Sequence, residues 1–182
     1  MTLETLALQG HPGVHSSMAA SITARIKEVR SNFIRECFCD FQDMEHRMES
    51  VANVHGIEFI NDSRSTNINS TWFTMESMSK PVIWIAGGMD SGIDYTQLKL
   101  LIKAKVKSII FLGMDSTYLI SSMADLKIPL TDASTMDEAV ELAYFAGVMG
   151  DVVLLSPGCA SFDLFKDYEE RGIAFKKAVK QL

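Results

Sequence analysis

The sequence predicts an α/β fold with a Rossmann-like, mostly parallel sheet and helices on both faces, preceded by a short strand and two helices. Short apolar runs at 82–86, 108–112 and 151–155 have the composition of strands buried on both faces. Segments with apolar residues at helical spacing separate these runs, and polar, glycine-containing loops follow them. Strands that alternate with helices are typical of a parallel sheet covered on both sides.

The first 45 residues have a different pattern. Thr2–Leu8 alternates like a short strand before Gly10–Gly13 interrupts it. Apolar residues then recur at helical spacing in two segments, Met18 to Val29 and Ile34 to Phe41. One strand and two amphipathic helices cannot bury both apolar faces alone. We therefore predict that residues 1–45 are the tail of a preceding domain and that 46–182 form a second domain.

From His46 onward the predicted strands and helices alternate. His55-Gly56 is typical of a two-residue hairpin turn between strands at 51–54 and 57–60. The segment at 128–130 is at most a short edge strand, because Pro129 has no N–H for a ladder bond. Apolar spacing predicts five helices, around 68–75, 98–104, 118–123, 136–148 and 163–179.

Composition excludes several classes of function. Seventeen basic and 23 acidic side chains give a net charge of −6 without a basic stripe, so no nucleic-acid partner is expected. The longest apolar runs are too short to cross a bilayer, and the first residues do not resemble a secretory signal, so no membrane role is expected. Three cysteines without metal-ligand or disulfide spacing favour reduced thiols and a cytoplasmic location.

Three polar loops follow predicted strands, at 61–67, 87–92 and 156–163. Because parallel strands end at one edge of a sheet, we expect these loops to line one cleft. Backbone amides at a helix start bind anions, so the Ser161 loop suits a carboxylate or a phosphate. The alternative is that Ser161 or Asp163 only caps the last helix and that Gly87-Gly88 is only a tight turn. Spacing alone therefore indicates a small-molecule-binding domain.

The same loops, taken in order, resemble the carboxyl-terminal domain of the Mur ligases. His46-Arg47-Met48-Glu49 resembles its opening His-Arg-x-Glu, and residues 61–67 resemble its Asn-Asp-Ser-Lys-Ala-Thr-Asn loop. Ala86-Gly87-Gly88, followed by Asp94-Tyr95, is similar to its Ala-Gly-Gly loop. Residues 155–163, Leu-Ser-Pro-Gly-Cys-Ala-Ser-Phe-Asp, nearly reproduce the signature of the D-glutamate-adding members, and Glu169–Gly172 and Phe175 continue it. Residues 1–45 resemble the end of the family's central ATPase domain.

The resemblance implies a ligase that phosphorylates a carboxylate with ATP and lets an amine attack the acyl phosphate. The implied substrates are D-glutamate and UDP-N-acetylmuramoyl-L-alanine, and the complete enzyme would use ATP and Mg²⁺ through its amino-terminal and central domains. By position, Arg47 and Asp62 would face the nucleotide, and Arg64 would stand near the UDP-sugar peptide. The residues expected to hold D-glutamate are Thr66, Ser161, Phe162 and Tyr168. None of these residues is expected to be a catalytic base or a metal ligand.

Three departures from the family pattern bear on activity. No Gly-Lys-Ser/Thr phosphate loop occurs in the 182 residues, so this chain alone is not expected to use ATP. Pro12, Gly13 and Ser16 stand where the family has residues that approach adenine. Ser91 replaces a lysine that pairs with a D-glutamate carboxylate, a loss of about 1.5–3 kcal/mol of charge-assisted hydrogen bonding.

Two hypotheses follow from these departures. In a working ligase, Arg64, the amides after Ser161 or Lys166 would have to supply what Ser91 lacks. The alternative is a degenerate or re-specified relative, which binds a nucleotide sugar or another amino acid without this activity.

Overall fold

The computed structural model describes residues 44–88 and 93–182. The chain divides into two units between Glu45 and His46. The strand and helices expected before residue 44, and Ser91, lie outside the described residues. The second unit contains a six-stranded sheet with helices on both faces, which confirms the predicted fold class.

Six strands form the sheet in the order β1-β2-β6-β3-β4-β5. Their bounds are Glu49–Val54 (β1), Ile57–Asn61 (β2), Val82–Ala86 (β3), Val106–Leu112 (β4), Leu130–Ala133 (β5) and Val152–Leu155 (β6). The β1–β2 pair is antiparallel and every other pair is parallel. His55 and Gly56 both have positive φ, 50° and 84°, as a two-residue hairpin turn requires. The hairpin was predicted. The edge strand was predicted at 128–130 at most, whereas β5 begins after Pro129 and spans Leu130–Ala133.

Within residues 44–88 and 93–182, five α-helices cover the sheet: Ile68–Ser77 (α1), Lys99–Lys105 (α2), Thr117–Met123 (α3), Met136–Ala146 (α4) and Tyr168–Val179 (α5). Short 3-10 turns at Tyr95–Leu98 and Ala124–Leu126 precede α2 and follow α3. Alternate strand residues face opposite sides, so Ile83 and Ile85 pack with α4 and α5, while Trp84 packs with α1 to α3. Each face of the sheet therefore has its own apolar core.

The last helix begins five residues later than predicted, at Tyr168 rather than Asp163. Its cap is Asp167, whose Oδ1 accepts the Glu170 N–H at 2.8 Å, and Glu170 Oε2 accepts the Lys166 N–H at 2.7 Å. The arrangement is similar to a capping box, except that Glu170 accepts the N–H of the residue before the cap and not that of Asp167 itself. Neither Ser161 nor Asp163 caps the helix, and the Ser161 loop does not open directly onto it. Turns over 162–167 separate the two.

Candidate functional site at the carboxyl edge of the sheet

The three predicted loops meet at one edge of the sheet, here called the carboxyl edge, where β2, β3 and β6 end. The register sets Leu155 beside both Asn61 and Ile85, so the three strands end side by side. Backbone hydrogen bonds then join the loops: Gly158 N–H donates to Ser65 O at 3.0 Å, and Gly87 N–H donates to Pro157 O at 3.2 Å. The predicted convergence is therefore observed for the described residues.

Asp62 is the centre of a buried polar cluster beneath this edge. Its side chain is 1% exposed, and its Oδ2 accepts the Thr74 hydroxyl at 2.7 Å and the Ser156 hydroxyl at 2.9 Å. Oδ1 accepts the Met48 N–H at 3.2 Å. Burial raises the pKa of the carboxyl group, while hydrogen bonds from Ser65, Thr74, Ser156 and Met48 oppose the rise. In this arrangement Asp62 fastens β2, β6 and α1 together, and the nucleotide contact inferred from resemblance stays a prediction.

Arg171, on α5, joins two of the loops from below. It is 1% exposed, and its guanidinium donates to Ser63 Oγ at 3.0 Å, Ser63 O at 2.9 Å and Cys159 O at 3.2 Å. Ser63 Oγ in turn donates to Tyr168 O at 2.7 Å. Desolvation lowers the pKa of Arg171 to about 10, and the nearby Cys159 and Asp163 oppose the shift. The guanidinium thus fixes the spacing between the 61–67 and 156–163 loops.

Gly88 brings the third loop to the same guanidinium. Its φ is 134°, and a Cβ built on it would overlap Ala160 O and lie 3.2 Å from Arg171 Nη1. Only a glycine permits this backbone conformation and this approach together. The described parts of the three loops are therefore in contact at the carboxyl edge. The 156–163 loop is hydrogen-bonded to both of the others, and Gly88 lies next to Ala160 and Arg171.

His46 closes the cluster from the side of β1. The imidazole is buried, its Nδ1 lies 2.9 Å from Asn61 Nδ2, and its backbone O accepts the Arg64 N–H at 3.0 Å. Gly172 lets the ring lie against α5, because a Cβ at that position would overlap the imidazole. His46, the first residue of the His-Arg-x-Glu element, is therefore a buried side chain that packs between β2 and α5.

The predicted ligand-binding side chains divide into exposed and buried ones. Arg47, Arg64, Thr66 and Phe162 are exposed, Tyr168 is half-buried and Ser161 is 2% exposed. Ser161 O accepts the N–H groups of Leu164 and Phe165, so this residue anchors the turns that lead to α5. The Arg64 guanidinium carbon lies 5.9 Å from the centre of the Tyr168 ring. A hydrogen bond to Glu169 raises the pKa of the Tyr168 hydroxyl.

Sequence reasoning missed the residues that hold the loops in place: Ser63, Thr74, Ser156 and Arg171. Arg171 follows Glu169 and Glu170, a run that is typical of a solvated helix face, although the first two residues are exposed and the third is buried. The available signal was the small-residue composition of the loops, because Ser and Thr can satisfy a buried carboxylate without filling space.

Two further findings concern metal clusters and membrane-spanning helices in the described residues. In the part of the chain that the structure describes, no group of three or more His, Cys, Asp or Glu side chains is arranged to hold a metal ion. The described helices include none that is long and apolar enough to cross a bilayer.

Comparison with known protein families identifies the family to which this chain belongs. The sequence profile described as "Mur ligase, glutamate ligase domain" matches residues 46–159. The chain belongs to the Mur ligase family. The matched region begins at His46 and includes the strands that end at the carboxyl edge, the loops at 61–67 and 87–92, and the first part of the loop at 156–163.

Curated relatives extend the similarity to the whole chain. Proteins named UDP-N-acetylmuramoylalanine–D-glutamate ligase match all of it, at 48% identity in Porphyromonas gingivalis and 43% in Christiangramia forsetii. The chain spans 40% and 41% of the length of these two relatives.

Solved structures share the fold at low identity. The UDP-N-acetylmuramate-alanine ligase of Thermotoga maritima is 12% identical with a TM-score of 0.64, over 94% of this chain and 38% of that one. A pseudomurein peptide ligase type C from Methanothermus fervidus is 13% identical with a TM-score of 0.65, over 94% and 36%. These two structures support the fold assignment alone.

Proposed function

We propose that this chain is the carboxyl-terminal part of an ATP-dependent ligase that joins D-glutamate to UDP-N-acetylmuramoyl-L-alanine in the synthesis of peptidoglycan precursors. The observation that carries the proposal is the identity of 43–48% over the entire chain with relatives named for that activity. The Leu155–Asp163 signature lies at the carboxyl edge, where ligands bind in open α/β sheets. Residues 1–45 would then be the end of the central ATPase domain.

In the proposed reaction, the γ-phosphoryl group of ATP is transferred to the carboxylate of UDP-N-acetylmuramoyl-L-alanine, which gives ADP and an acyl phosphate. The amine of D-glutamate attacks the acyl carbon, the new amide bond forms, inorganic phosphate leaves, and the amine loses a proton. An acyl phosphate reacts with water, so a domain that closes over it protects the intermediate. This chain would contribute that closure and the recognition of D-glutamate.

Within this proposal the exposed side chains, half-buried Tyr168 and buried Ser161 would contact ligands, and the buried cluster around Asp62 and Arg171 would position them. Thr66, Ser161, Phe162 and Tyr168 would hold D-glutamate, and Arg47 would face the nucleotide. The metal and the ATP phosphates would be bound by the preceding domains of the complete enzyme. These 182 residues alone would then hydrolyse no ATP, because they contain no phosphate loop. We expect a ligase with these substrates to work in the cytoplasm.

A hybrid enzyme tests the proposal. The 182 residues replace the matching part of the Porphyromonas gingivalis relative, and ADP formation is measured with D-glutamate, L-glutamate and other D-amino acids. We expect turnover that requires both D-glutamate and UDP-N-acetylmuramoyl-L-alanine. The unmodified relative is the positive control. This chain without added domains should give no turnover.

The substitution at Ser91 favours a second candidate, a relative with altered amino-acid specificity or no ligase activity. Under that hypothesis the hybrid would bind ATP and the nucleotide sugar but would use another amino acid, or none. Either result would overturn the proposed D-glutamate ligase.

A further inference from the structure

An amino-acid substrate brings a positive ammonium group as well as its carboxylates, and a site for it needs a negatively charged acceptor. The residues proposed above to hold D-glutamate are Thr66, Ser161, Phe162 and Tyr168, and none of them carries a carboxylate. Their hydroxyl and backbone N–H groups suit the carboxylates of the substrate. The ammonium group, whose nitrogen becomes the attacking amine, therefore needs a further residue.

The aspartates on the loops at the carboxyl edge are the candidates for this acceptor. The described loops after β2, β3, β4 and β6 carry Asp62, Asp94, Asp115, Asp163 and Asp167. Four of them accept hydrogen bonds from nearby hydroxyl or backbone N–H groups and so already serve the fold. Asp163 is the exception. Both of its carboxylate oxygens are buried, and neither has a hydrogen-bond partner among the described residues.

Asp163 lies where the sheet has a topological switch point. β6 is followed by α5 on one face, whereas the neighbouring β3 is followed by α2 on the other. Strands whose helices lie on opposite faces leave a crevice between their carboxyl ends, and ligands bind there. Oδ2 of Asp163 lies 3.3 Å from a Cβ built on Gly113, the residue after β4. The side chain therefore reaches from the loop after β6 across the end of β3.

The turn that carries Asp163 is fixed through its backbone and not through this side chain. Ser161 O accepts the N–H groups of Leu164 and Phe165, which holds the turn. Phe162 and Leu164 are 69% and 37% exposed, so the turn lies at the surface of the carboxyl edge. Rotation about the Cα–Cβ bond of Asp163 turns the carboxylate into the crevice without breaking a hydrogen bond to any described residue.

A cation suits this carboxylate better than a neutral donor does. A buried carboxylate without donors is costly, and hydrogen bonds between charged groups are the strong ones. Burial lowers the pKa of Arg171 and the charge of Asp163 opposes that shift, so the two groups attract each other. The guanidinium nevertheless donates its hydrogen bonds to Ser63 and Cys159. An ammonium group in the crevice would supply both the charge and the hydrogen bond.

We propose that the Asp163 carboxylate receives the ammonium group of the amino-acid substrate and positions its nitrogen for attack on the acyl phosphate. This inference rests on the proposed function and deepens it. In the amide product the same nitrogen carries no charge, so the pair with Asp163 exists for the substrate and not for the product.

The test uses the hybrid enzyme and compares D-glutamate with the reaction product, which keeps both carboxylates but has an uncharged amide nitrogen. Asp163→Asn should lower kcat/KM for D-glutamate about 10- to 100-fold, because it removes a charge-assisted pair. The inhibition constant of the product should change less than about twofold. Asp163→Glu keeps the charge and should lose less. Asp115→Asn, the same change at an exposed position of the same edge, is the matched control and should alter neither constant.

Unfolding of the 182-residue chain separates a ligand-binding role from a structural one. Because the Asp163 carboxylate accepts no hydrogen bond from the described residues, Asp163→Asn should leave the urea midpoint unchanged or raise it. Arg171→Met should lower the midpoint clearly, because it leaves buried acceptors at Ser63 and Cys159 without donors.

Three results would overturn the assignment while leaving the proposed function intact. They are an unchanged kcat/KM for D-glutamate in Asp163→Asn, an equal loss for D-glutamate and for the product, and a urea midpoint lowered as far as that of Arg171→Met. The last two would show that Asp163 only balances the charge of Arg171. Absence of D-glutamate turnover in the unmutated hybrid would overturn the proposed function, and this assignment with it.

Discussion

The two ends of the sheet are built differently. At the carboxyl edge, buried polar side chains such as Asp62, Ser63 and Arg171 satisfy one another. At the opposite end, the amino edge, the ion pairs have exposed members, such as Lys107 with Asp151 at 2.6 Å and Lys80 with Glu58 at 2.8 Å, and Met149 is 82% exposed. A buried polar cluster is intolerant of lost partners, whereas an exposed turn can adjust. We therefore expect substitutions to be more costly at the carboxyl edge.

The largest effect is expected for Asp62→Ala. The change leaves the Met48 N–H and the Thr74 and Ser156 hydroxyls without their acceptor in a buried place. Each unsatisfied buried group costs about 1–3 kcal/mol, and rotation of the two hydroxyls relieves part of this cost. We therefore expect the free energy of unfolding to fall by about 3 kcal/mol. Both tryptophans, Trp72 and Trp84, lie within 46–182, so urea titration followed by fluorescence reports on this unit. Asp132→Ala, at an exposed position of β5, is the control; an equal loss there would contradict the comparison.

Gly172→Ala should be the next most costly change. Alanine favours a helix over glycine by about 1 kcal/mol. Its Cβ would overlap the buried His46 ring, which Asn61 holds in place, and overpacking of this kind costs about 3 kcal/mol. Because the cost of the overlap exceeds the gain in helix propensity, we expect the free energy of unfolding to fall by about 2 kcal/mol, measured by the same titration. Ile173→Ala, at the next residue and exposed, should be nearly neutral. A stabilised Gly172→Ala protein would show that the imidazole can move freely.

Gly56→Ala offers the matching test at the amino edge. A Cβ there would overlap Met149, but that side chain is exposed and can turn away. The remaining cost is the left-handed backbone, with φ at 84°, so we expect a loss of about 1 kcal/mol. Adding Met149→Ala should restore little, because the strain is in the backbone. Full recovery in the double variant would instead assign the cost to the side-chain overlap.

The smallest expected effect is a pH dependence. Burial raises the pKa of Asp62 above its ordinary value of 3.8, so the folded state binds this proton more tightly than the unfolded state does. The resulting stabilisation is fully present below pH 3.8 and is lost as the pH rises through the raised value. The stability of the wild type relative to Asp62→Asn should therefore be greatest in acid and should fall toward neutral pH. Urea titrations of both proteins across that pH range measure the difference in the free energy of unfolding. A difference that grows with pH would contradict the prediction.

The fold was predictable because its signals are local. Apolar runs predicted β3, β4 and β6, and the His55-Gly56 pair predicted the hairpin. The start of α5 was predicted five residues too early, at Asp163, because Asp167, whose side chain accepts the Glu170 N–H and caps the helix, was not considered.

The buried cluster depends on partners far apart in sequence. Arg171 and Ser63 are separated by 108 positions, and Ser156 and Asp62 by 94. Sequence spacing placed the loops on one edge but could not show which of their side chains turn inward. Burial of Asp62 and Arg171 was therefore not predictable, whereas exposure of Arg64 in a polar loop was a natural expectation.

The position of β6 between β2 and β3 has a consequence for the order of synthesis on the ribosome. Residues 57–61 and 82–86 emerge well before residues 152–155, yet they are joined in the sheet only through that later strand. Until it arrives, each of the two earlier strands has one edge unpaired, and unpaired edges invite association with other chains. The 61–67 loop also lacks Ser156, Gly158 and Arg171 at that stage. A nascent chain can therefore form its β3–β4 pair early, but it acquires an assembled ligand site only after α5 has been made.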